Sequence, residues 1–260
     1  MSIDNVHKLG LIRVPTVDQA LSWLVAQGPV AADPPLPNWV LRQLVRTQRI
    51  ARLRRGLYLV PRADGTMLRL PAVAALVAPD GYLSFYGALT LYGLTDQDAA
   101  RWGVVTRTRQ RPVRYGSFAL EFVAWPARVR SAKTRMRTVD SVRVRLATPV
   151  QAFCDALEHP RLGSSFPEML RVLRTGFAMR ALGTSALRAH ARAVDSPALA
   201  RRLGLLLELS TGEVDVTLAD IAQRSHAWTT GDRRQERASD TRWRVRLSRS
   251  RDELARAANP

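Results

Sequence analysis

Three of the four residues 34–37 are proline, and they stand directly in front of the most basic stretch of the chain. Each proline fixes its own φ, lacks an N–H and pushes the residue before it out of the helical region. The segment AADPPLP (31–37) is therefore not a regular helix, and the chain must break here and restart. What restarts is RQLVRTQRIARLRRGLYLVPR (42–62), with seven arginines in 21 residues, no acid and no lysine.

The pattern on either side of the break is readable. Upstream, VDQALSWLVAQG (17–28) spaces Ala20, Leu21, Leu24 and Val25 as one face of a helix, with Thr16 as N-cap and Gly28 as stop. Downstream, Asn38 offers an N-cap for a short helix over 39–48. Leu41, Leu44 and Val45 form its apolar face, and Arg42, Arg46 and Arg49 fall on the other. IARL (50–53) and LYLV (57–60) read as two short strands. Arg54, Arg55 and Gly56 connect them, with Gly56 able to take positive φ, and Pro61 ends the second.

Helix, proline-rich link, basic helix and basic hairpin is the plan of a winged helix-turn-helix. In that plan the helix enters the major groove and the hairpin lies along the backbone or a minor groove. Arginine suits both tasks, because its planar fork takes guanine O6 and N7 together and also pairs with phosphate. Asn38, Arg42, Gln43 and Arg46 are the candidates for the major groove. Arg49, Arg52, Arg54 and Arg55 are the candidates for the phosphate backbone. Tyr58 is a further one, although a tyrosine on a hairpin is as often half-buried packing. A solvated charged face would mix signs, and a basic membrane-surface helix would need a longer uninterrupted helix than Gly56 allows. RNA remains open as an alternative to duplex DNA.

Charge agrees with a polyanionic partner: the formal net charge is +18 and the isoelectric point is near 11.5. Arginine carries it, 38 of them against Lys8 and Lys133. Part of that ratio reflects arginine codons in a GC-rich genome. No apolar run reaches membrane-spanning length, and MSIDNVHKLGLIRV lacks an apolar signal core. The single cysteine, Cys154, excludes an internal disulfide framework and a cysteine zinc site. These features imply a soluble, bacterial, cytoplasmic protein that touches something acidic.

Beyond a link at Met67–Pro71 the pattern changes. An apolar helix is expected over 70–79 and another over 85–94, capped by Ser84. WGVVTRT (102–108), FALEFVAW (118–125) and VRVRL (142–146) read as strands. Helices follow at 149–158, 166–175, 184–194, 196–208 and 215–225. TRWRVRLSRSR (241–251) reads as a last strand, with Trp243, Val245 and Leu247 inward and Arg242, Arg244 and Arg246 outward. That second basic surface is either a soluble sheet edge or a continuation of the nucleic-acid track.

RGLYLVP after a basic helix resembles the N-terminal domain of the AbiEi family, antitoxins of type IV toxin–antitoxin systems. Three further segments resemble the family in order: YLSFYGALTLYGLT (82–95), LATPVQAFCDALEHP (146–160) with Phe153, Cys154 and Asp155 at its centre, and ARRLGLLLELSTG (200–212). The resemblance spans about residues 16–250. The family usually has a further helix where this chain reads PVAADPPLPN, and the prolines imply that it is shortened or lost. The resemblance implies an autorepressor that binds inverted repeats of double-stranded DNA in its own promoter. It also implies a nucleotidyltransferase toxin as functional partner, with no stable complex required.

Enzymatic signatures are not found. Glu121 is followed by Phe122 and Val123 rather than by the X-Lys of a restriction-type nuclease. His7, His159, His190 and His226 are scattered, without metal-binding spacing. Cys154 sits in an apolar helix, and Asp155 suits a structural hydrogen bond as well as catalysis. No cofactor and no metal are expected. The expected fold is α+β: an N-terminal winged helix-turn-helix (1–66) and a larger mixed α/β domain (67–260) with a small sheet and several C-terminal helices. The expected function is that of a DNA-binding antitoxin and transcriptional regulator. An RNA-binding accessory protein and a nuclease-like defence subunit with a degenerate site stand as alternatives.

Overall fold

The computed structural model describes residues 15–115, 117–231 and 237–257. The amino-terminal segment with His7 and Lys8 lies outside the described residues. Within them the chain is mixed α+β, with two three-stranded sheets and one six-stranded sheet.

Helix α1 (Val17–Gln27) starts at a capping box: Gln19 donates its N–H to Thr16 Oγ1, and the Thr16 N–H is accepted by Gln19 Oε1. Strand β1 (Val30–Ala32) follows, and the prolines then run as irregular chain with Leu36 buried. Helix α2 (Asn38–Arg46) begins one residue earlier than expected, so Asn38 is its first helical residue and Pro37 takes the cap position. The cause is that Val40 and Leu41 already donate to the Pro37 carbonyl, at 3.0 and 3.2 Å. No side chain caps this N-terminus.

Strands β2 (Ala51–Arg54) and β3 (Leu57–Leu59) form the hairpin, with a register irregularity between Arg52 and Arg54. β1 pairs antiparallel with β3, giving the order β1-β3-β2. The two faces of this sheet serve different cores. Ala31, Ile50, Tyr58 and Val60 pack with Ala20, Leu24, Val40, Leu41 and Leu44. Leu53 and Leu59 belong to the larger core of the rest of the chain. The hairpin is therefore shared between the two cores, and it cannot move against the larger one without exposing both leucines.

The second unit starts with α3 (Leu70–Val77), β4 (Tyr82–Ser84) and α4 (Phe85–Leu91). Ser84 stands at the N-cap of α4 as expected, but its hydroxyl bonds elsewhere and makes no cap hydrogen bond. Next come β5 (Arg101–Thr106), β6 (Val113–Tyr115), β7 (Phe118–Ala124), α5 (Pro126–Ser131), β8 (Thr134–Val139) and β9 (Val142–Ala147). Their sheet runs β6-β7-β5-β4-β9-β8, parallel at β5/β7 and β4/β9 and antiparallel elsewhere. β2 and β6, each at the end of its own sheet, lie side by side.

Helices α6 (Pro149–Glu158), α7 (Phe166–Ala178), α8 (Thr184–Val194), α9 (Pro197–Thr211) and α10 (Val216–Gln223) close over the core. The long strand expected over 241–251 is not formed. Thr241–Arg244 is a turn, only β12 (Val245–Leu247) is extended, and α11 (Arg251–Ala257) follows. The turn forms because Asp240 Oδ1 accepts the Trp243 N–H and Arg244 takes φ 51°. β12 is also no edge: it lies between β10 (Thr229–Thr230) and β11 (Ala238–Asp240).

Candidate nucleic-acid interface

Helix α2 is amphipathic because Val40, Leu41 and Leu44 are driven into the smaller core. What remains outside is Asn38, Arg42 and Arg46, all exposed and four residues apart, so they line one face. Gln43 is half-buried beside them. The helix stops cleanly, since the Thr47 hydroxyl donates to the Gln43 carbonyl, Gln48 takes φ 57° and Arg49 N–H returns to Leu44. Trp39, 50% exposed on the first turn, was not anticipated. Its signal was available: a tryptophan in an arginine-rich helix, outside the apolar stripe.

The hairpin presents Arg52 and Arg55 to solvent and leaves Arg54 half-buried. Gly56 has φ 74°, as the turn requires. Tyr58 is 9% exposed and packs in the smaller core, so the packing reading describes its ring. Arg49 has an acid that its own segment lacks, because its guanidinium reaches Asp18 of α1 at 2.5 Å.

A third basic stretch leads into β6, the strand that borders β2. The loop from β5 to β6 carries Arg107, Arg109 and Arg111, and β6 itself carries Arg114, all exposed. β6 lies alongside β2, so the strand that carries Arg114 borders the strand that carries Arg52 and Arg54. This adjacency depends on tertiary contact and is invisible to sequence spacing.

Arg242, Arg244 and Arg246 do not form the shared strand face expected of them. Arg242 pairs with Glu208 at 2.9 Å, and Arg244 donates to the Ser225 carbonyl. Only Arg246 lies on a strand, and that strand is central.

A separate charged cluster is buried in the second unit. Asp155 is fully buried and accepts from Ser84 (2.7 Å), Gln151 (2.8 Å) and Tyr82 (3.1 Å). Arg128 lies 3.5 Å from it, pairs with Glu158 and stacks on Trp125. Burial pushes the Asp155 carboxyl upward against these partners and raises Glu158 to about 7. Burial, together with the Arg128 and Lys133 charges, lowers His190 to about 4. The buried Cys154 thiol is held well above its ordinary value by burial and by Asp155. This network ties β4 to α5 and α6. Ser84 is itself fully buried, while Arg128, Gln151 and Glu158 line a cavity of about 420 Å³ together with Lys133 and His190. Glu121 pairs with Arg101 at 3.6 Å. Among the described residues no group of three His, Cys, Asp or Glu could hold a metal, and no helix is long and apolar enough to cross a membrane.

No family model matches the chain, and no curated protein matches it. The fold is similar to that of a solved protein, the crystal structure of the Rv2827c protein from Mycobacterium tuberculosis. The TM-score is 0.56 at 12% identity, over 94% of this chain and 95% of that one. At that identity the likeness concerns the fold alone.

Proposed function

We propose that this chain is a sequence-specific double-stranded DNA-binding protein, an AbiEi-like antitoxin that represses its own promoter and counteracts a nucleotidyltransferase toxin. The N-terminal unit is read as a winged helix-turn-helix: α2 enters the major groove and the β2–β3 hairpin is the wing. The observation that carries the reading is the exposed line Asn38, Arg42 and Arg46 on α2, followed in the chain by the exposed Arg52 and Arg55 of the hairpin. The β1-β3-β2 order supports it. So does the α2 N-terminus, which has no side-chain cap, with the Val40 and Leu41 N–H groups committed to Pro37 and those of Asn38 and Trp39 ahead of them. The helix that would brace the reader is replaced by the irregular Pro34–Pro37 chain. Antitoxin action and autorepression rest on the family resemblance. No enzymatic step is part of the proposal.

The test is a gel-shift titration of the full-length protein on its own upstream region and on a shuffled duplex, across a salt series. The reading expects preference for the upstream region and a steep loss of affinity with salt, because each neutralised phosphate releases a counterion. Equal affinity for both duplexes at every salt concentration overturns it.

One observation favours a second reading. Trp39, half-exposed on the first turn of α2, is the kind of side chain on which an unpaired base stacks. Competition between duplex DNA and a structured RNA separates the two, and preferential retention of the RNA would select RNA binding.

A further inference from the structure

We propose that the edge strand β8 receives an extended, alternately acidic and apolar segment of a partner protein by strand addition. β8 ends the six-stranded sheet, and β9 pairs with it from Thr134↔Ala147 to Val139↔Val142. Its other side presents ladder groups to a new strand. Four successive residues, Arg135, Met136, Arg137 and Thr138, are exposed. The alternation separates them: Arg135 and Arg137 lie on one face, Met136 and Thr138 on the other.

Each face asks for a different side chain. Arg135 and Arg137 have no acid on their own strand, although Arg137 also donates to the Leu91 carbonyl at 2.6 Å. On the other face Met136, 52% exposed, borders a groove of about 390 Å³. That groove lies on the β9 side of Met136, away from the free edge, and is lined by Leu76, Val142 and Val144 together with Arg143 and Arg145, which stand opposite Thr138 and Met136 on the same face; among the described residues no carboxylate lines it. A strand beside β8 would set alternate residues against the arginines and the rest against Met136. Acidic residues complete the first set, and in the second an apolar residue covers the exposed Met136.

Charge also rules on the occupant. A second copy pairing through β8 would bring Arg135 and Arg137 against themselves, and like charges directly opposed destabilise a sheet. Charged edge strands ordinarily discourage pairing of any kind. Here the charge is all of one sign, so the deterrent acts on basic and neutral strands and becomes an attraction for an acidic one. This inference does not depend on the DNA-binding reading.

The experiment uses the full-length protein and a fluorescein-labelled octapeptide of alternating glutamate and valine, followed by anisotropy. Two controls carry the same charge: a block peptide of four glutamates then four valines, and the alternating peptide N-methylated at every second amide in each register. The expected result is at least ~10-fold tighter binding of the alternating peptide than of the block peptide, and loss of that advantage on N-methylation in one register. Met136→Asp and Arg135→Glu, both at exposed positions, should each weaken binding by a similar factor. Hydrogen exchange should show new protection at β8 amides. Equal binding of all the peptides overturns the proposal, because the attraction would then be net charge alone. Protection of β8 by duplex DNA, with displacement of the peptide, also overturns it by assigning the edge to nucleic acid.

Discussion

Asp33 donates its backbone N–H to the Gly56 carbonyl at 2.6 Å, and its carboxylate occupies the space that a side chain on Gly56 would need. The end of β1 thereby clamps the turn of the hairpin. A Cβ on Gly56 would fall 2.1 Å from Asp33 Oδ1, and the residue would keep φ 74°. Gly56→Ala should therefore destabilise the protein by roughly 1–2 kcal/mol from the left-handed backbone alone. Urea unfolding checks this. The double variant Gly56→Ala, Asp33→Ala should recover the steric part and retain the backbone part.

The proposed reader and wing should respond differently to substitution. Arg42→Ala and Arg46→Ala remove forks from the exposed face of α2, so they should weaken specific binding more than non-specific binding. If each reads a guanine, the loss is about 1–3 kcal/mol of discrimination. Arg54→Ala should weaken both kinds alike and lower the salt slope by about one unit. Gel-shift titrations on specific and shuffled duplexes separate these outcomes. Unchanged sequence preference in both helix variants would remove α2 from the major groove.

Arg49 is held by Asp18, whose side chain is 80% exposed. An ion pair so open to water is worth only about 0–1 kcal/mol. Asp18→Asn should leave unfolding nearly unchanged, yet it removes a negative charge from beside a basic surface. Affinity for any duplex should rise at low salt and converge with that of the parent at high salt.

Gly204 on α9 lies against the ring of Trp243, where an added Cβ would meet Cζ3 at 2.1 Å. Both groups are buried and the indole N–H is committed to Glu208. Gly204→Ala should cost about 1–3 kcal/mol through overpacking. Denaturant unfolding reports it, and an unchanged midpoint would contradict this packing.

Glu158 and His190 predict opposing pH dependences. Glu158 is raised from 4.5 to about 7, so the folded state holds the extra proton and stability falls as pH rises between those values. His190 is lowered from 6.5 to about 4, so the unfolded state holds the extra proton and stability is lost as pH falls through that window. Asp155, raised by burial, acts in the same direction as Glu158. His190→Asn should uncover the carboxylate slope, giving a variant whose stability falls more steeply than the parent's between pH 5 and about 7. Glu158→Gln should do the reverse. Urea midpoints across this range decide the signs.

Local sequence carried much of the helical architecture. The helices over 149–158 and 184–194 have the bounds that periodicity and caps predict, and Thr16 caps α1 as its position implies. Pro34–Pro37 do interrupt the chain before α2, because a proline cannot donate its missing N–H in any context. The strands β1, β4, β6 and β8 were missed, since they are short or carry arginines where an apolar alternation would mark a strand. The 241–251 segment misled in the other direction. Its clean alternation concealed an Asp240 turn and a second signal, Ser250 with Glu253, that opens α11 as a capping box.

For the candidate interface the division is similar. The sequence by itself determined which face of α2 is basic, because helical periodicity is a local property of the backbone. It also determined that Gly56 turns the hairpin, because only glycine takes that φ without strain. Only the tertiary structure decided that Arg49 is paired with Asp18, that β6 with its Arg114 borders β2, and that Arg242 belongs to Glu208. Charges act over a few ångströms of space whatever their separation along the chain, and that spatial neighbourhood is set by how Leu53, Leu59 and Trp243 bury themselves.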